Sequence, residues 1–168
     1  VVTLPPEAFE ANAQVDRLRQ AALVVRRVAG ELRYHPATGL ARRPEPPVEE
    51  ALRTLHEVLA VVRRLADRFD AEEAALRGAE PTALEEVRAG HQRVRELAGA
   101  LAAALRVLEE VLAHPERAPL DAPYGLGAPR RPHPGAQATW VAERAESLAR
   151  ELAYVTVVKS SALRAAKG

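Results

Sequence analysis

The chain has no cysteine and no methionine among its 168 residues. Without cysteine there is no disulfide framework, no thiolate-held zinc and no thiol nucleophile. Isoleucine is missing as well, Asn12 is the sole asparagine, and Lys159 and Lys167 are the only lysines among 24 basic residues. The absent residue types share AT-rich codons, which points to a GC-rich bacterial genome and says nothing of function. Aromatic residues make up 4% of the chain against 48% hydrophobic, so the core has to be built from Leu, Val and Ala. Neither sign of charge dominates: 24 Lys and Arg oppose 23 Asp and Glu, for a net charge of +1. That balance argues against nucleic-acid binding by bulk charge but leaves room for a local basic patch.

Long apolar runs are also lacking. The longest, AGALAAAL at 98–105, falls far short of the ~20 residues that span a bilayer, so a membrane partner is not expected. The opening VVTLPPEAFE has no basic stretch followed by an apolar one, so no signal peptide is read there and a cytoplasmic location is expected. Catalytic signatures are missing too: there is no G-x-S-x-G, no phosphate-cradling glycine loop and no H-E-x-x-H. The adjacent pairs Glu49–Glu50 and Glu109–Glu110 diverge on a helix and do not form an acid–base pair. An enzyme is therefore not the expected class, and no cofactor is expected.

What the sequence does contain is helical periodicity. Ala11, Val15, Leu18, Ala22, Val25, Ala29 and Leu32 alternate spacings of four and three, which places them on one face of a helix over about 6–34. Val48, Leu52, Leu55, Leu59, Val62, Ala66, Phe69 and Leu76 do the same over 47–77, with Pro46 and Pro47 where a first turn tolerates proline and Gly78 as a stop. A third stripe runs Leu84, Val87, His91, Val94, Ala98, Leu101, Leu105, Leu108 and Leu112 over 82–114, entered by a Thr82–Glu85 capping box and ended by Pro115. The fourth, over 136–166, carries Ala138, Val141, Ala145, Leu148, Leu152, Val155, Lys159 and Ala162, with Trp140 near its start. The β-branched patch VTVV at 155–158 is read as helix because the period runs through it.

Four stripes of similar length, each about 45 Å at ~1.5 Å per residue, predict a single all-α domain over 1–168. The expected architecture is an antiparallel up-down-up-down four-helix bundle. The link GAEP at 78–81 is short enough to force a hairpin. The other two links are long and echo each other: GLARRPEPP at 39–47 and GLGAPRRPHPG at 125–135. In this topology both lie at one end of the bundle. Arg42, Arg43, Arg130 and Arg131 would then form one anion-attracting surface, since guanidinium groups pair carboxylate and phosphate in a planar fork. Tyr124, Tyr34 and His133 stand nearby as stacking faces, and Glu45, Glu116 and Asp121 would partly neutralise it. A second basic patch, Lys159, Arg164 and Lys167, closes the fourth helix beside Val155, Val157, Val158 and Leu163, and would suit a partner helix, nucleic acid or membrane surface.

The histidines give less. His35, His114 and His133 gather at the long-loop end with His56 a few turns inside, but histidines near helix C-termini usually serve the dipole and the carbonyls there. The Glu-x-x-His motif of di-metal bundles is absent, because Arg53, Arg88 and Val111 precede His56, His91 and His114 by three residues, and no metal is expected. His91, after Gly90 in the third stripe, points inward. That suits a hydrogen-bonded core or boundary histidine better than a phosphotransfer histidine, which stands on a solvated face. The small residues Ala98, Gly99, Ala102 and Ala103 suggest close helix approach or, less readily, an apolar ligand pocket. The function expected from all this is a non-enzymatic helical interaction or scaffolding module that self-associates or docks on a protein. The alternative is a nucleic-acid accessory protein clamping phosphate with its paired arginine loops.

Overall fold

The computed structural model describes residues 6–34, 46–113 and 134–167, and among the described residues there is helix and turn but no strand. The helices are α1 Pro6–Tyr34, α2 Pro46–Ala66, a short α3 Phe69–Ala75, α4 Pro81–Ala113 and α5 Pro134–Lys167. Each of the four long helices begins on a proline. At that position the missing N–H is one the helix would leave unpaired, and the ring already holds the helical φ. The expected starts at 47, 82 and 136 therefore move back by one or two residues. For α4 this overturns the predicted cap: Thr82 is the second helical residue, and Leu84 N–H donates to the Glu80 carbonyl at 3.2 Å.

The long helices form a ring in which α1 packs on α2 and α5, while α4 packs on α5 and more lightly on α2. Side-chain pairs fix their directions. Glu10 meets Arg68 and the later Arg17 meets the earlier Glu57, so α1 and α2 run oppositely. His56 bonds Glu109, while Arg95 reaches back to the Ala66 carbonyl. Between α4 and α5 the order is Ala104 with Gln137, Arg93 with Glu151, and Glu86 with Tyr154. Arg26 grips Glu146, whereas Ala11 faces the Thr156 region. Neighbours are thus antiparallel throughout. The ends Tyr34, Pro46, Ala113 and Pro134, which flank the two long connections, share one end of the bundle. The connections themselves, 35–45 and 114–133, lie outside the described residues, as does the predicted meeting of their arginines.

The core follows the stripes. Leu18, Leu55, Val58, Leu101, Leu105 and Leu148 are completely or almost completely buried, each contributing roughly 1.5–3 kcal/mol by leaving water. Alanines fill the spaces between larger side chains: Ala22, Ala142, Ala145 and Ala149 have no exposure at all. Gly90 explains how closely α4 and α5 approach, because a β-carbon there would sit 2.7 Å from Val155 Cγ2. The segment at 155–158 is helical, and the Thr156 hydroxyl is satisfied by donating to the Leu152 carbonyl at 2.6 Å.

One expectation fails in an informative place. The helix read as continuous over 47–77 breaks after Ala66. Arg68 N–H donates to the Leu65 carbonyl at 3.1 Å, a tight three-residue turn. No proline or glycine stands there to cause it. Past the turn Phe69 and Leu76 are both buried. Leu76 then closes a second small core with Val87 and Ala162, flanked by Val158 and Leu163.

Candidate functional site

Phe69, Glu72 and Glu73 lie three and four residues apart on α3, hence on one face. That face meets His91 of α4. The two rings stack with centroids 3.7 Å apart and planes 2° from parallel. His91 is fully buried, and both its nitrogens face carboxylates: Nδ1 lies 3.1 Å from Glu73 and Nε2 3.4 Å from Glu72. The first is a hydrogen bond. The second is not formed, which leaves Nε2 buried without a partner. A buried nitrogen in that state is unusual and costly.

From the other side Lys159 of α5 places its ammonium 2.6 Å from Glu72 Oε2 and 5.0 Å from the centre of the Phe69 ring. Arg95 covers the same ring at 5.2 Å, and Arg88 stands 3.4 Å from Glu73. Burial alone pushes the Glu72 carboxyl up. His91 and Lys159 outweigh that burial and hold it below the usual glutamate range. The result is a half-buried charged cluster joining α3, α4 and α5, with an aromatic ring at its centre.

A cleft of about 480 Å³ opens beside this cluster, within the range of roughly 300–1,000 Å³ typical of small-molecule sites. Leu65, Phe69, Leu76, Leu152 and Leu163 give it an apolar lining, with Ala11 on the α1 side. Arg68, Glu72, Thr156, Lys159 and Ser160 supply its polar groups. The small residues suggested for a pocket are elsewhere. Gly99 faces open space, Ala103 is exposed, and Ala98 and Ala102 are packed against the main core.

The residues predicted to bind fall into separate groups. Arg42, Arg43, Tyr124, Arg130, Arg131 and His133 lie outside the described residues, with His35 and His114. Lys159 is not part of an outward basic end: it turns inward onto Glu72, because the ion pair and the ring offset its burial. Val155 is likewise buried in the core instead of flanking a docking face. Arg164 is exposed, and α5 ends at Lys167. His56 is exposed and bonded to Glu109 at 2.6 Å. Among the described residues no group of three or more His, Asp or Glu is placed to hold a metal ion, and no helix there is long and apolar enough to cross a membrane. Phe69, Glu72 and Glu73 were not singled out as a site from sequence. The sign was available: a ring and two acids on one helical face, and a histidine in an apolar stripe in need of a polar partner.

Comparison with protein-family profiles, with characterised proteins and with solved structures gives no match for this chain. Its class rests on the fold itself, an all-α four-helix bundle.

Proposed function

We propose that this bundle is a non-enzymatic helical interaction module that pairs with a second copy of itself through the outer face of α5. The observation that carries this reading is a second stripe on that helix. Trp140, Glu143, Ser147, Arg150, Tyr154, Val157, Ser161 and Arg164 repeat at spacings of three and four, the period of a helix–helix seam, on the side away from the core. Trp140 is 53% exposed and Val157 65% exposed. Trp140, Tyr154 and Val157 put large exposed apolar side chains on one helix face, which suits an interaction surface. Charge suggests the occupant and its direction. With a second α5 laid antiparallel, Glu143 faces the copy's Arg164 twice over, and the symmetry axis falls beside Tyr154.

Sedimentation equilibrium tests this. The expected result is a concentration-dependent dimer that becomes monomeric in Trp140→Ser/Val157→Glu without loss of helical signal. Glu143→Arg should weaken the dimer, and adding Arg164→Glu should restore it. A wild-type chain that stays monomeric at every concentration overturns the reading. The second reading, phosphate clamping by Arg42, Arg43, Arg130 and Arg131, draws support from the shared end of the helices that flank those residues.

A further inference from the structure

We infer that the cleft between α1, α3 and α5 is a binding site for a small amphipathic carboxylate, a medium-chain acyl or arylalkyl acid whose head group sits at Lys159. Three features of the cleft carry this. Its walls are mostly apolar, with Leu65, Phe69, Leu76, Leu152 and Leu163 forming a surface for a hydrocarbon body. Its charged groups are two cations, Arg68 and Lys159, and one anion, Glu72, so the cleft by itself favours an anionic head. The Arg68 guanidinium leans on Glu10 only loosely, at 3.6 Å.

The third feature is the orphaned nitrogen. Lys159 is held by Glu72 Oε2, and that same oxygen lies 3.4 Å from His91 Nε2, which has no hydrogen-bond partner. Glu72 therefore stands between the Lys159 ammonium, which it satisfies, and a His91 nitrogen that donates only when the ring carries a second proton, because Nδ1 already donates to Glu73. A ligand carboxylate arriving at Lys159 takes over the ammonium. Glu72 then moves by a few tenths of an ångström and accepts a hydrogen bond from His91 Nε2, the ring taking up one proton from solvent with the ligand. With that proton the exchange keeps every charge paired and gives a buried nitrogen the hydrogen bond it lacks in the free protein, the kind of compensation that makes burying an anionic head tolerable. A cationic amphiphile has no such exchange open to it, because its head would compete with Lys159 for Glu72 and leave the ammonium stranded. This site is on a different side of α5 from the outer stripe and does not depend on self-association.

Isothermal titration of the full chain with sodium decanoate, decanol and decylammonium chloride, each below its micellar concentration, tests the assignment. One decanoate should bind per chain with Kd on the order of 10–100 µM. Decanol should bind more weakly and decylammonium more weakly still. Lys159→Met should weaken decanoate about tenfold or more while leaving decanol unaffected. Ser160→Trp, at the half-buried rim, fills the cleft and should abolish binding of both with the fold intact by circular dichroism. Protein NMR shifts on decanoate addition should centre on Phe69, His91 and Leu163. Absence of saturable decanoate binding overturns the inference, as does equal affinity for decanoate and decylammonium, or undiminished binding by Ser160→Trp.

Discussion

Two regions of this bundle bury side chains by opposite means. The main core around Leu18, Leu55, Leu105 and Leu148 is almost wholly aliphatic, with Phe69 at its edge, and it uses the residue types the chain has in abundance. The α3 end gathers the rare ones. Phe69 is one of two phenylalanines, Lys159 one of two lysines and His91 one of five histidines, and the Phe69 ring meets both of the others. The aliphatic core tolerates any side chain of the right volume, because dispersion and area burial are not directional. The α3 end depends on donors meeting acceptors, and a single missing partner there strands a charge. The lesson is that a nearly uniform composition can still carry specificity if its few distinctive side chains are concentrated in one place.

Three experiments sharpen that contrast. The largest effect is expected in the aliphatic region. Leu105→Ala removes a fully buried side chain and should cost about 2–5 kcal/mol, read as a lower urea midpoint with unchanged pH dependence. The next concerns the seam where the two regions join. Gly90→Ala gains helix propensity but drives a methyl into Val155, 2.7 Å away. Because valine is stiff at χ1, the overpacking should win by about 1–2 kcal/mol. Val155→Ala in the same chain should recover most of that loss, and a double-mutant cycle showing no coupling would mean that α5 simply moves away. The smallest effect distinguishes the charged end by its response to acid. The Glu72 carboxyl is held below its ordinary value in the folded protein. Its stabilising contribution is therefore complete above the unfolded pKa of about 4.3 and is lost as pH falls through the lower folded value. Glu72→Gln should be less stable than wild type near pH 6, and the gap should close as pH drops toward 3. A gap that stays constant would show that Glu72 acts through packing alone.

Most of the bundle was legible from the sequence because helical period, proline and the short 78–81 link all point the same way. Every stripe position from Ala11 to Ala29 and from Val48 to Val62 is buried, since a three–four spacing on a helix leaves few other solutions. The starts of helices were less legible, as Thr82 shows: a good capping pair lost to a proline one residue earlier. The break at Asp67–Arg68 was not legible at all. No proline or glycine marks it, and it coincides with the start of the segment whose Phe69 stacks on His91 of another helix. The candidate site inherits that blindness. Glu72 and Glu73 read as ordinary solvated acids until the turn aims them at a residue 18 positions away.

The lone tryptophan has a practical consequence. Trp140 lies on the outside of α5 with the Arg144 guanidinium 4.6 Å above its ring, and it is the only indole in the chain. Intrinsic fluorescence of this protein therefore samples its exterior. Emission should start red-shifted in the native state and change little on denaturation, so a fluorescence melt will understate cooperativity that circular dichroism records in full. The same property makes the indole a built-in gauge of whatever comes to rest against that face, since anything that excludes water from it shifts the emission blue without a label.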